Sequence, residues 1–236
     1  MLAHDLRWTI AGLLAQGDLR TGELVARTGQ APSLVSYHLG RLREAGLVSV
    51  RRSTADGRDS YNTLDLDALA RAVGSMAGLL HPGLLAEATG PAGGAGEAAG
   101  PPPGSAQVLF ICTGNSARSP MAEGWLNHLG GGRMTARSAG IAPAPLHPLA
   151  VAAMAEHGVD ISTHRPSQLD AFAADTFARV VTLCDRAREA CDDLPAAAHW
   201  SIPNPAQAHP PDLDAFRATA RELRARIRYL LYKPWG

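Results

Sequence analysis

Residues 90–104, GPAGGAGEAAGPPPG, set the first limit on what this 236-residue chain can fold into. Gly and Pro dominate the stretch, and no apolar residue recurs in it at helical or strand spacing, so it cannot form a packed element and reads as a linker. Fully extended, its 15 residues span about 50 Å and fix little of the geometry between the parts they join. The segments on either side carry different structural periods. Two domains are therefore expected: residues 1–81, mainly α, and residues 106–236, α/β with a parallel four-stranded sheet, joined by a Gly/Pro/Ala-rich linker over 82–105.

In the first segment Leu6, Ile10, Leu13 and Leu14 share one face of a helix that ends near Gly17. A short helix follows, with Thr21 as its N-cap and Gly29 closing it. In APSLVSYHLGRLREAGLV, Val35, Leu39 and Leu42 fall at i, i+4 and i+7, Gly46 is the C-cap, and Ser33, Ser36, Tyr37 and Arg41 are left facing outward. Two short helices, a tight turn and a third helix with small polar and basic exposed residues make a helix-turn-helix pattern. Asp56-Gly57 then marks a hairpin, where Arg51, Arg52 and Arg58 cluster in a way suited to phosphate contacts. Because 22 basic residues balance 22 acidic ones, any contact with DNA has to come from such a local patch and not from a global field. A last helix, residues 66–80, carries Leu66, Leu69, Val73, Met76 and Leu80 as an apolar stripe that dimerisation would cover.

SLVSYHLGRLREAGLVSVRR followed by GRDSYNTLD resembles the winged helix-turn-helix of the ArsR/SmtB repressors, over nearly all of residues 1–81. The resemblance implies a homodimer on operator DNA, with the third helix in the major groove and the hairpin as wing. No cysteine precedes residue 112, so the thiolate cluster of the arsenite-sensing members has no counterpart here. His81 beside Pro82 reads as a solvated residue, and no metal site is expected.

Past the linker, QVLFIC and ARVVTLC read as buried strands, RMTARSAGI and AAHWSI as further strands, and SPMAEGWLNHL, HPLAVAAMAEHG and DAFRATARELRARIRYLLY as helices. Strands alternating with helices imply a parallel sheet whose site lies at the strands' carboxyl ends, where Cys112 and Cys184 fall. The loop CTGNSARS joins a strand to a helix. Its residues, Thr113, Gly114, Asn115, Ser116, Ala117, Arg118 and Ser119, can line a backbone nest for a tetrahedral oxyanion, with Arg118 supplying a planar donor fork. Positive surroundings favour the thiolate of Cys112 as nucleophile. A nucleotide P-loop would need Gly-Lys-Ser/Thr, and the only lysine is Lys233.

Cys184 and Cys191 are seven residues apart, near two helical turns, so in an intact helix they share a face but lie roughly 10 Å apart along the axis. That exceeds the Cα separation a disulfide tolerates, so a bond between them requires the segment to unwind. Packing as a small hydrophobe fits Cys184 after VVTL, and fits Cys191 amid REACDD poorly.

CTGNSARSPMAEG, SAGI, HPLA, HGVDIS, VVTLCDRAREAC and HWSIPNPA together resemble the thioredoxin-coupled arsenate reductases, which share the low-molecular-weight tyrosine phosphatase fold, over about 130 residues. The resemblance implies that Cys112 attacks arsenate held by the loop and Arg118, and that Cys184 attacks the cysteine-bound arsenic and leaves a Cys112–Cys184 disulfide. Cys191 then displaces Cys112, and thioredoxin reduces the Cys184–Cys191 disulfide; no bound cofactor is implied. Ser119 would hydrogen-bond the Cys112 thiolate and Asn115 would brace the loop. Both folds usually carry an Asp-Pro whose carboxyl protonates the leaving oxygen, where this chain has Asn204-Pro205. Asn donates a hydrogen bond but no proton, which should hurt phosphate-ester hydrolysis more than arsenate reduction. The THRPS stretch lacks the matching Thr and Asp with which some family members bind potassium, so that ion is not expected.

The expected whole is a cytoplasmic operator-binding regulator fused to an arsenate reductase, with no membrane span and no signal peptide. Two alternatives stand beside it: a tyrosine phosphatase with a DNA-binding appendage, and a regulator whose cysteines sense arsenite or oxidation without turnover.

Overall fold

The computed structural model describes residues 4–55, 57–80, 106–191, 194, 197–207 and 210–231. The expected linker, residue His81, Asp56 of the hairpin turn and Lys233 lie outside the described residues. The chain divides into two compact units, the hairpin tip Arg52–Ser60 clustering with the C-terminal one and the strands that carry it with the N-terminal one.

The N-terminal unit runs α1 (Asp5–Leu14), β1 (Leu19–Arg20), α2 (Thr21–Thr28), α3 (Pro32–Glu44), β2 (Val48–Arg52), β3 (Ser60–Leu64) and α4 (Leu66–Leu80). Leu6, Ile10 and Leu14 of α1, Leu24 of α2, and Val35, Leu39 and Leu42 of α3 form one buried cluster with Leu47 and Val48. The apolar periodicity of three helices thus converges on a single core. The strands form a small sheet in the order β1-β3-β2, with β1 antiparallel to β3. Two helix ends differ from expectation. The N-cap of α2 is Arg20, not Thr21, because Glu23 Oε2 accepts the Arg20 N–H at 2.7 Å and satisfies it from within the first turn. The C-cap of α3 is Ala45, with Gly46 in the left-handed region (φ 68°) one residue later. On α4, Leu66 and Leu69 pack on the core, while Val73 and Met76 are exposed.

The C-terminal unit runs β4 (Ala106–Cys112), α5 (Arg118–Leu129), β5 (Met134–Gly140), α6 (Pro148–Ala155), β6 (Arg179–Thr182), α7 (Asp185–Ala190), β7 (Ala197–His199) and α8 (Leu213–Leu231). Short 3₁₀ turns at Leu169–Phe172 and Pro205–Gln207 complete it. The four strands form one parallel sheet in the order β5-β4-β6-β7, as the alternation of strand and helix implies. The strand β4 is fully buried from Val108 onward, so it reads as a continuous apolar run and not as an alternating one. Helix α5 lies against β4 and β5 and packs on α6 and α8. On α8, Phe216, Ala220, Leu223, Ile227 and Leu230 recur at alternating spacings of four and three and are all buried. This architecture puts the carboxyl end of an inner strand, with Cys112, between two paired neighbours.

Candidate functional site

Cys112 is the last residue of β4, paired with Gly140 of β5, and its thiol is 2% exposed. Beyond it the backbone of 113–117 turns into α5. Four carbonyls of this segment are tied back to one neighbouring stretch: Cys112, Thr113, Gly114 and Ser116 accept from the N–H groups of Ile141 (3.3 Å), Ala142 (2.8 Å), Ala144 (2.8 Å) and His147 (2.8 Å). Among the described residues no backbone carbonyl accepts from the N–H of Gly114, Asn115, Ser116 or Ala117. With its carbonyls anchored and its N–H groups unspent, the loop has the form of an anion nest leading into a helix N-terminus.

The turn depends on Asn115, the one described non-glycine residue at positive φ (46°) and fully buried. Its Oδ1 accepts from the Ser167 N–H at 2.8 Å and lies 3.2 Å from His164 Nε2. Its Nδ2 donates to Ser119 Oγ at 3.0 Å and Ser138 Oγ at 2.8 Å. Gly140 is required beside it: a Cβ there would lie 2.9 Å from the Asn115 nitrogen and 3.0 Å from the Thr113 oxygen. Ser119 Oγ is 3.0 Å from Cys112 Sγ, so a chain of hydrogen bonds joins the thiol to the loop brace. The chain continues through the Ser138 hydroxyl, which donates to Glu123 Oε2 at 2.6 Å; His164 Nδ1 lies 3.5 Å from the same oxygen. Burial raises the Glu123 carboxyl above its ordinary range and lowers His164, which favours the uncharged form of each. A cavity of about 780 Å³ opens beside this pair, lined by Ser138, Arg165 and Phe172 among others and not by Cys112.

Arg118, the first residue of α5, is 6% exposed, and its guanidinium donates to the Ile202 carbonyl at 3.1 Å. That bond leaves further donors of the fork for an anion. Asn204, two residues on, has its Oδ1 turned to the Ala206 N–H at 3.3 Å, where it caps the 3₁₀ turn.

Cys184 is buried, and Thr113 Oγ1 lies 3.2 Å from its Sγ, so the second thiol contacts the residue next to the first. Cys184 and Cys191 do not stand inside one helix, as their spacing suggests; they are the N-cap and C-cap of the six-residue α7. All three thiols are free. Burial first, and then the charge of Cys184, push the Cys191 thiol above its usual range.

In the N-terminal unit Ser33, Ser36, Tyr37 and Arg41 all lie exposed on α3, with Tyr37 at 60%; Arg41 Nη1 is 2.6 Å from Glu44 Oε2. Arg52 and Arg58 are exposed and Arg51 is half-buried. The sequence reading did not single out His38, which is buried on α3 with both ring nitrogens unpartnered and its ring 4.2 Å from that of His4. Nor did it find Ser138, His164 and Ser167, which meet Asn115 only through the fold, or Glu123, which reaches it through Ser138. No group of three or more His, Cys, Asp or Glu among the described residues is arranged to hold a metal ion.

A cysteine closing a central parallel strand, an anion-receiving loop and an arginine heading the next helix define the cysteine-phosphatase class of α/β proteins. Residues 107–233 match the model of the low molecular weight phosphotyrosine protein phosphatases, and the chain belongs to that family. Residues 6–50 match the model of bacterial regulatory proteins of the arsR family. An arsenate reductase of Halalkalibacterium halodurans is 38% identical over 127 residues, 51% of this chain and 91% of that protein. An arsenate reductase of Staphylococcus aureus is 43% identical over 102 residues, 42% of this chain and 78% of that protein. A solved arsenate reductase in a phosphate-binding state is 31% identical and covers 53% of this chain and 96% of its own, with a TM-score of 0.47.

Proposed function

We propose that the chain is a bifunctional arsenic-resistance protein: an operator-binding regulator fused to an arsenate reductase that works by a three-cysteine relay. The observation that carries the reductase reading is the contact between Thr113 and Cys184, which sets a second thiol beside the anion loop of the first. A phosphatase needs no such thiol.

Arsenate occupies the nest of 113–118, its oxygens taking the free N–H groups and the Arg118 fork. The Cys112 thiolate attacks arsenic and a hydroxyl leaves as water with one proton taken from solvent, since Asn204 has none to give, and a Cys112–arsenic thioester remains. Cys184, as thiolate, attacks Cys112 Sγ and not the arsenic expected from the family resemblance, because only attack at sulfur forms the disulfide while reducing arsenic. The electron pair of the S–As bond passes to arsenic, which leaves as arsenite, and a Cys112–Cys184 disulfide remains. Cys191 attacks Cys184 Sγ and frees the Cys112 thiolate; the Cys184–Cys191 disulfide is reduced by a dithiol, which we take to be thioredoxin. The N-terminal unit binds duplex DNA as a homodimer, Ser33, Ser36, Tyr37 and Arg41 facing the bases and Arg51, Arg52 and Arg58 the phosphates. No helix among the described residues is long and apolar enough to cross a membrane, and we place the protein in the cytoplasm, where thioredoxin keeps thiols reduced.

The test is arsenate reduction coupled to thioredoxin and its reductase. Wild type turns over continuously, Cys112→Ser is inactive, and Cys191→Ser stops after one equivalent of arsenite with Cys112 and Cys184 joined. Multiple turnover by Cys191→Ser refutes the relay.

A further inference from the structure

At the base of α7, a set of buried polar side chains is joined that the relay does not itself use. Asp185, Thr182, His199 and Ser201 are all at most 5% exposed. His199 Nε2 lies 3.1 Å from Asp185 Oδ1 and its Nδ1 2.9 Å from Thr182 Oγ1, while Ser201 Oγ donates to Asp185 Oδ1 at 2.9 Å. The other carboxylate oxygen, Oδ2, accepts from the Thr54 N–H at 2.6 Å and from its Oγ1 at 3.0 Å. Since an ionised carboxylate only accepts, the ring Nε2 carries a proton and donates it to Asp185 whichever form the imidazole takes. Thr182 and His199 are register partners at the ends of β6 and β7. The network therefore ties two adjacent strand ends to Asp185, the residue that follows Cys184.

The rest of the helix is held differently. Besides Asp185, α7 buries only Ala187 before it reaches Cys191. Cys184 itself has extended backbone (φ −159°, ψ 156°) and joins the helix only through its carbonyl, which accepts the Arg188 N–H at 3.0 Å. A segment that must unwind to bring Cys191 onto Cys184 is thus fixed at its Cys184 end through side chains that survive the unwinding.

On the relay reading above, we propose that Asp185 and His199 are positioning residues: their hydrogen bond pins the backbone beside Cys184 to the end of β7 and holds the Cys184 thiol at Thr113 while the remainder of α7 rearranges. Neither residue touches arsenate or the sulfurs. Cys112, its loop and Arg118 make none of these bonds, so the first chemical step does not depend on them.

The experiment uses full-length protein in the Cys191→Ser background, where the Cys112–Cys184 disulfide accumulates after arsenate is added. Asp185→Ala should slow formation of that disulfide by roughly tenfold or more, as expected when a reacting group drifts from its attack position, while the KM for arsenate and the rate of Cys112 alkylation stay within about threefold of the parent. Asp185→Asn, whose amide oxygen can keep the His199 and Ser201 bonds while its NH2 cannot accept from the Thr54 N–H, should restore part of the rate. Ser201→Ala, which removes one donor only, gives a smaller slowing of the same step and serves if Asp185→Ala does not fold. Disulfide formation at the parental rate in Asp185→Ala, or an equal loss of Cys112 alkylation, overturns the positioning role, as does failure of Asp185→Asn to rescue. The relay fails separately: if the Cys191→Ser parent forms no Cys112–Cys184 disulfide with arsenate, the relay itself is wrong.

Discussion

Thr113 Oγ1 and Cys184 Sγ are 3.2 Å apart, although 71 positions separate the two residues in the chain. The contact exists because β4 and β6 are neighbours in the parallel sheet and both strands deliver their last residues to the same edge. A thiol placed there lies against the Cys112 loop. Cys191 waits at the other end of α7.

Cys191 gives a pH prediction. Burial raises its thiol, and the thiolate is the attacking species, so it is underpopulated at neutral pH and gains population as pH rises. Conversion of the Cys112–Cys184 disulfide to Cys184–Cys191 should accelerate between about pH 7 and about pH 9, by up to roughly tenfold per unit while the thiol is mostly protonated. Rapid-quench mapping of the disulfides measures it. A flat rate over this range would mean that deprotonation of Cys191 does not limit the step.

Asn204 supplies a separate test. Asp at this position keeps an oxygen to accept the Ala206 N–H and adds a transferable proton. Asn204→Asp should raise hydrolysis of an aryl phosphate by about tenfold or more and change arsenate reduction much less, given the usual worth of a general acid. If hydrolysis does not rise, residue 204 is not where the leaving oxygen sits.

Asn115→Ala should destabilise the C-terminal unit by about 2–4 kcal/mol. It removes one partner each from the buried Ser119 and Ser138 hydroxyls and from the half-buried Ser167 N–H, and puts a residue with no local hydrogen bonds at positive φ. Thermal melting and the alkylation rate of Cys112 report the two consequences. An unchanged melt would show that the loop holds its shape without the brace.

For the N-terminal unit, neutralising one of Arg51, Arg52 or Arg58 should weaken binding to every duplex and lower the salt slope by about one unit. Arsenite added to residues 1–81 alone should leave operator affinity unchanged, because that segment has no cysteine. Fluorescence anisotropy with labelled duplex checks both, and arsenite-driven release from the isolated segment would refute the second.

The parts of this molecule that can be read from its sequence are those set by local period and local chemistry. The stripe of α3 and the unbroken apolar run of β4 follow from spacing alone, and Cys112 and Arg118 from a loop whose residue types leave few other uses. What could not be read is what the fold brings together from far away. Asn115 meets Ser138 across 23 positions, His164 across 49 and Ser167 across 52, and no local pattern marks those partners. The placement of Cys184 and Cys191 at the caps of α7 was missed for a related reason: a seven-residue spacing fits two turns of helix, and only the extended backbone at Cys184 shows that the helix starts after it. Arg20 likewise displaced Thr21 as a cap because Glu23 reached back, a contest between side chains that composition does not decide.

The nucleophile and its resolving pair sit on parts of the domain that differ in how hard they are to open. Amide hydrogens of β4, bonded to strands on both flanks, exchange only when the sheet as a whole comes apart, whereas the six residues of α7 can fray alone. On the relay proposed above, a full redox cycle opens one short helix and leaves the sheet closed. The oxidised and reduced forms should melt at similar temperatures, yet a protease that samples transient openings would tell them apart within residues 185–190.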